Sequence, residues 1–363
     1  MFSTSVPPAR LALPHRKEIR RWLQPVSARD TPRALRLVAF DFLLFGLGLA
    51  ALMLLRAPML KLLLGLLLGL VIARLFILGH DACHQSFTPH RRLNRALGRL
   101  LFLPSLTPYS LWDVGHNVVH HGYTNLRGFD MVWEPLTLAE YQALPAWRQR
   151  LERIYRSGWA PWLYYLVEIW WRRMYFPSRR TMPTPRPVFV WDSLLVSGFA
   201  ALWIGLLALG ASASGQSVTL NLVTGFVLPW LVWNALIGFV VYVHHTHPAI
   251  AWYADKAEWS AAAPFVTTTV HLRLRLGGRE WGGLLHHILQ HTAHHVDMSL
   301  PLYRLQQAQR LLEQRLPGYI VVQDFSWRWY FDTARRCQLY DYQRRCWTDF
   351  SGQPTATPAP GPA

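Results

Sequence analysis

The sequence predicts an all-α integral membrane protein: four transmembrane helices in two hairpins, with a cytoplasmic helical cap that carries histidine clusters. Three observations lead there. The chain of 363 residues is 52% apolar and only 16% charged, whereas soluble domains carry about 25% charged residues. Four apolar runs each approach the roughly 20 residues that a bilayer crossing needs. The 16 histidines gather at the ends of those runs and in the segments between them. Disorder is excluded, because a chain this apolar can bury ample surface. A disulfide scaffold is excluded too, since Cys83, Cys337 and Cys346 are few and scattered.

The net charge of +17 fits either nucleic acid or membrane, and position separates the two. A nucleic-acid binder shows basic stripes on a soluble fold. Here the arginines flank the apolar runs, as the positive-inside rule expects, so no nucleic-acid partner is expected. Lys17, Lys61 and Lys256 are the only lysines; the bias to arginine points to a GC-rich bacterial genome.

Residues 1–33 read as a basic cytoplasmic tail with no signal peptide, in which 15–23 form either a short interfacial helix or a solvated strip. Spans follow at about 35–55 and 62–79, joined through Arg56-Ala57-Pro58. Arg74 lies near enough to the end of its span to snorkel toward water. The run 100–106 is too short to cross and either dips into the interface or packs on the bundle. The Trp- and Tyr-rich stretch 159–175 suits a helix at headgroup level. A second hairpin covers about 188–211 and 218–243, with an uncharged connector. Residues 34–350 are expected to form one domain, and 351–363, rich in Pro, Ser and Thr, a disordered tail. Basic residues crowd the N-terminal tail, 91–186 and the region after 273, which places both termini and every histidine cluster on the cytoplasmic side.

Spacing gives the clusters meaning. His80 and His84, His116 and His120 with His121 beside them, and His291 with His294 and His295 stand three or four residues apart, on one helical face. His244, His245 and His247 close the fourth run. Imidazole is a common ligand of iron, zinc, copper and nickel, and eight such ligands exceed the needs of one ion, so two ions are expected. Structural zinc prefers four ligands, often with thiolates, and the His-Glu-x-x-His pattern of zinc proteases is absent. A histidine-rich transporter or sensor would place its ligands at the span centres. Iron with open positions activates dioxygen, and an apolar bundle can take an alkyl chain; together they point to oxidation of an unactivated C–H bond in a lipid.

These boxes resemble those of the membrane fatty acid desaturases, over about residues 35–325. The segments Thr107-Pro108-Tyr109-Ser110-Leu111-Trp112, Asn125-Leu126-Arg127-Gly128, His245-Thr246-His247-Pro248 and the run from His291 through Asp297 to Tyr303 resemble the acyl-lipid omega-6 (Δ12) branch, in bacterial form. The resemblance implies a non-haem di-iron enzyme of the inner membrane that uses O2 and two electrons to place a double bond in an acyl chain carried on a lipid or thioester. It implies metal ligation by His80, His84, His116, His120, His121, His291, His294 and His295, with His245 as a further ligand. His287, four residues before His291, is a candidate for supporting the ligands, and Asp81 and Asp113 for orienting imidazoles; Asp297 either does the same or ends a helix. Cys83 departs from the small residue usual at its position. The chain has neither a His-Pro-Gly-Gly haem motif nor a cysteine set for an iron–sulfur cluster, so electrons are expected from a separate ferredoxin or small haem protein. The ligand set leaves open a hydroxylase, or a decarboxylase forming terminal alkenes.

Overall fold

The computed structural model describes residues 13–179, 182, 184–262 and 270–357. It is mostly helical, and four helices are long and apolar enough to cross a membrane: α2 (Thr31–Leu54), α3 (Pro58–Cys83), α9 (Pro187–Ala213) and α10 (Val218–His245). The remaining elements that matter are α1 (Arg16–Leu23), α4 (Arg91–Phe102), α5 (residues 109–120), α6 (Leu138–Ala143), α7 (Ala146–Tyr155), α8 (residues 161–175), α11 (Lys256–Ala261), α12 (His291–Val296), α13 (Leu305–Arg315) and α14 (Trp327–Arg336). Strand β1 (Val270–Arg273) pairs in parallel with Val321–Asp324, and the short strands Leu339–Asp341 and Cys346–Thr348 pair antiparallel.

The four long helices divide into an inner and an outer pair. More than half of the most apolar stretch of α3 is buried, 56%, against 22% in both α2 and α9. Close approach explains why α3 can sit at the centre. A side chain at Gly69 would meet Val232 and the Pro229 carbonyl of α10, and one at Gly79 would meet the Phe102 ring of α4. Absent side chains let backbones approach where apolar burial alone distinguishes poorly between protein and lipid. On the outer helices Leu43, Leu47, Leu194, Leu202, Leu206 and Leu209 point away from the protein, an apolar girdle that only lipid covers without penalty.

Several expectations are corrected. Helix α2 starts at Thr31, inside the expected tail, because Asp30 accepts a hydrogen bond from the Arg33 amide and Pro32 occupies the first turn. Residues 16–23 are not a solvated strip: they form α1, whose Ile19 and Leu23 are fully buried. Arg74 does not snorkel. Its Nε and Nη2 both donate to Asp41 Oδ1, at 2.9 and 2.7 Å, because a buried carboxylate on the neighbouring span is a better partner than distant water. Within the stretch 159–175, residues 161–175 pack on α10, with Tyr165, Ile169, Trp170 and Met174 buried; the run 100–106 packs on the bundle. Residues 351–357 are ordered rather than a free tail: Pro354 bridges Thr348, and the Thr355 amide donates to the Trp347 carbonyl. Residues 358–363 of that expected tail lie outside the described residues.

Candidate metal centre

The histidines are delivered by four helix ends. His80 and His84 come from the end of α3, where the Cys83–His84 turn leaves the helix. His245 ends α10, and His291, His294 and His295 are half of the six-residue helix α12. His116, His120 and His121 come from α5, which is α-helical over Tyr109–Trp112 and widens to π geometry over Asp113–His120. The widening has a direct consequence: the His121 amide donates to the His116 carbonyl five residues back, as such bulges at functional sites often do.

Two groups of ring nitrogens result, each able to hold a metal ion: His80, His84, His116 and His294 in one, and His120, His245, His291 and His295 in the other. In the first, Nε2 of His80 lies 3.3 Å from that of His84 and 3.0 Å from that of His116. His121 joins this group, its Nε2 3.1 Å from His116 and 3.0 Å from His294. In the second, Nε2 of His291 lies 2.8 Å from His245 and 3.1 Å from His295. Two nitrogens bound side by side to one ion at about 2.1 Å each stand about 3 Å apart, so the spacing fits shared coordination. The helical-face pairing expected from sequence is therefore only partly realised. His80 pairs with His84 and His291 with His295, but His120 leaves His116 for the second group, and His294 leaves His291 for the first.

The electrostatics favour the ligand form of the rings. Burial, reinforced by neighbouring imidazoles, pushes His84, His116, His121, His291 and His295 well below the ordinary histidine value, and His294 down to about 3. Neutral imidazoles keep a lone pair for a metal. Among the described residues Nδ1 of His84, His245 and His291 is buried without a partner, whereas the other ring edge of His120 is held: its Nδ1 lies 2.9 Å from Asp130 Oδ1, both residues buried. Asp130 also accepts from the Val132 and Asn125 amides. Thr124 Oγ1 sits 3.3 Å from His295 Nδ1.

Asp130 was not foreseen from the sequence, and the residues expected in its role do other work. Asp81 accepts from the Ser86 hydroxyl at 2.7 Å. Asp113 accepts from Asn117 Nδ2 at 2.6 Å and from Cys83 Sγ at 3.7 Å, and burial raises its carboxyl above the usual range. Asp297 accepts from the Ser299 amide and hydroxyl, just past the end of α12. His287 is not on the helical face of His291, because α12 begins only at His291 and His286 and His287 both adopt left-handed backbone, φ 48° and 60°. That turn sends His286 instead into the bundle, where its Nε2 meets Asp41 Oδ2 at 2.6 Å. His244 lies outside both groups, stacked on His291 at 3.9 Å with its Nε2 buried and unpaired among the described residues.

Of the two groups, His80, His116, His120, His245 and His291 form one wall of an apolar cavity. Phe76 and Ile77 of α3, Met174 of α8, and Ile237 and Val240 of α10 line the rest. Trp112 stacks on His116 at 4.0 Å and also faces this space. Such a chamber excludes water and suits an alkyl chain better than a polar substrate.

The family model described as fatty acid desaturase matches residues 57–327. The sn-1 oleoyl-lipid 12-desaturase of Arthrospira platensis is 30% identical over 261 residues, 71% of this chain and 70% of that protein. The chloroplastic omega-6 fatty acid desaturase of Glycine max is 27% identical over 277 residues, 76% of this chain and 62% of that protein. An sn-1 acyl-lipid omega-3 desaturase (ferredoxin) of Nostoc sp. is 28% identical over 261 residues, 70% of this chain and 67% of that protein. The chain belongs to the fatty acid desaturase family, membrane oxidoreductases that desaturate fatty acyl chains.

Proposed function

We propose that this desaturase holds two iron ions, one among His80, His84, His116, His121 and His294 and the other among His120, His245, His291 and His295, and acts on an acyl chain esterified in a membrane lipid. The observation that carries the reading is the convergence of the Nε2 atoms, 2.8–3.3 Å apart, on the wall of an apolar cavity. Iron bound there supplies the dioxygen activation needed to remove hydrogens from two adjacent carbons. The protein's own part is placement. Phe76, Ile77, Ile237 and Val240 grip the chain, Asp130 and Thr124 hold His120 and His295 in their planes, and the closed walls keep water out. Placement matters because a shift of about 1 Å can change the rate by roughly 100-fold.

The names of the relatives favour a Δ12 or omega-6 position and a glycerolipid carrier, and the printed name of the Nostoc relative favours ferredoxin as electron donor. Charge placement favours two hairpins in a bacterial inner membrane, with the histidines and their helical cap facing the cytoplasm. The test is expression in a host of known acyl composition together with a reduced ferredoxin. The expected result is a new diunsaturated chain in the membrane lipids, two irons in the purified chain, and loss of both the product and iron in His120→Ala while the variant stays in the membrane. An unchanged profile across saturated and monounsaturated precursors sinks the substrate assignment, and a fully active His120→Ala sinks the ligand assignment.

A further inference from the structure

Desaturation by dioxygen balances only with added electrons: R–CH2–CH2–R′ + O2 + 2 e− + 2 H+ gives R–CH=CH–R′ + 2 H2O. Some face of the protein must therefore admit a reductant near the histidines, and α1 presents one. Its apolar residues Ile19 and Leu23 are fully buried, with α1 packed on α12 and α13, so its apolar side is covered by protein and not by lipid. Arg16 Nη2 donates to the His295 carbonyl at 3.3 Å and Arg20 Nε to the Val296 carbonyl at 3.4 Å. The helix thus sits directly on the end of the histidine-bearing α12.

The outward side of α1 is basic. Lys17, Arg20 and Arg21 line an open groove of about 400 Å³ together with Gln24, Ser27, Asp297 and Ser299. Asp297, its one carboxylate, stands two residues after His295. Lys17 and Arg21 are exposed and form no ion pair among the described residues, as is also true of Arg91 and Arg95 on α4, but only the α1 pair stands over the histidine-bearing α12. Unneutralised charge steers an oppositely charged partner, while paired charge contributes little.

We propose that this groove is the docking site of an acidic [2Fe–2S] ferredoxin, which reduces the centre across α1 and α12. The assignment rests on the desaturase reading above and adds the place where its electrons enter. The test uses the full chain in lipid nanodiscs with an acidic [2Fe–2S] ferredoxin and its reductase. Lys17→Glu/Arg21→Glu should raise the KM for ferredoxin about tenfold at low salt and weaken directly measured ferredoxin binding to the same degree. Turnover driven by dithionite and a small mediator should stay at the wild-type rate. The same charge change on α4, Arg91→Glu/Arg95→Glu, should move either quantity by less than about twofold. An equal effect of both double variants, no effect of the first, or no binding of ferredoxin to the wild-type protein overturns the assignment. So does an effect that disappears in discs of neutral lipid, which would make α1 a surface for anionic lipid. Binding reads the docking face without catalysis, so a wild-type protein that binds ferredoxin but never turns over under dithionite counts against the desaturase reading alone.

Discussion

Asp130 is the side chain that most clearly separates a set of histidines from a built site. A carboxylate 2.9 Å from Nδ1 of His120 fixes the ring plane and leaves Nε2 facing His245, His291 and His295. Such partners commonly contribute about 10–100-fold to metal affinity or activity. Asp130→Asn keeps the shape but removes the charge, and should lower iron retention and turnover within that range; metal analysis beside a lipid assay checks it. A variant with full iron and full activity would show that packing alone orients His120. Sequence spacing offered no route to Asp130. It lies ten residues from His120, and the chain returns only because Asn125 adopts left-handed backbone, φ 58°, and donates to the Ala251 carbonyl.

Among the elements, the segment before α12 is tied to the spans by charge. Arg74 of α3 and His286 both bind Asp41 of α2, and Arg74 Nη1 also donates to the Leu284 carbonyl at 2.8 Å. Asp41→Ala removes the buried carboxylate from a part-buried guanidinium, a loss of at most about 3–5 kcal/mol, the range seen where fully buried pairs have been broken. It should lower the unfolding temperature in detergent, and iron bound through α12 should fall with it. An unchanged melting curve would mean the tie contributes nothing net. A second tie joins β1 to α13. Burial opposes ionisation of Glu313, yet His271 at 2.6 Å and Arg273 together outweigh it and hold the carboxyl at about 2. The folded value lies below the unfolded one, so the contribution is present above about pH 4.3 and is lost as pH falls through the folded value. Melting curves should show wild type losing this contribution as pH falls from about 4.3 towards 2, with a smaller loss in Glu313→Gln. Equal acid sensitivity in both proteins would remove Glu313 from the account.

For the whole molecule, the centre is a joint. Helices α3, α5, α10 and α12 converge at imidazoles whose Nε2 atoms face one another at about 3 Å, and neutral rings there offer lone pairs that an ion would draw together. Metal binding that favours the native state stabilises it by mass action. Removal of iron by a chelator should lower the unfolding temperature and raise hydrogen exchange in α12 and the end of α10, with the outer face of α9 unaffected. Restoring ferrous iron should reverse both. Indifference to the chelator, with iron shown to be gone, would place the stability of the centre in packing alone.

The sequence by itself determined the solvent and the candidate ligands. Four apolar runs demand lipid because backbone polar groups there must be satisfied within helices, and the histidine boxes stand out because their residue type and spacing are local properties of the chain. The same spacing could not assign each histidine to its group. His121 rather than His120 accompanies His116 because α5 widens to π geometry, and His294 and His295 diverge because α12 lies between two groups supplied by other helices. Asp130, the Asp41–Arg74–His286 tie and the basic face of α1 over α12 were decided only by the tertiary structure. Each joins residues distant in sequence or across a turn, where a buried charge takes whichever partner the packing brings within about 3 Å.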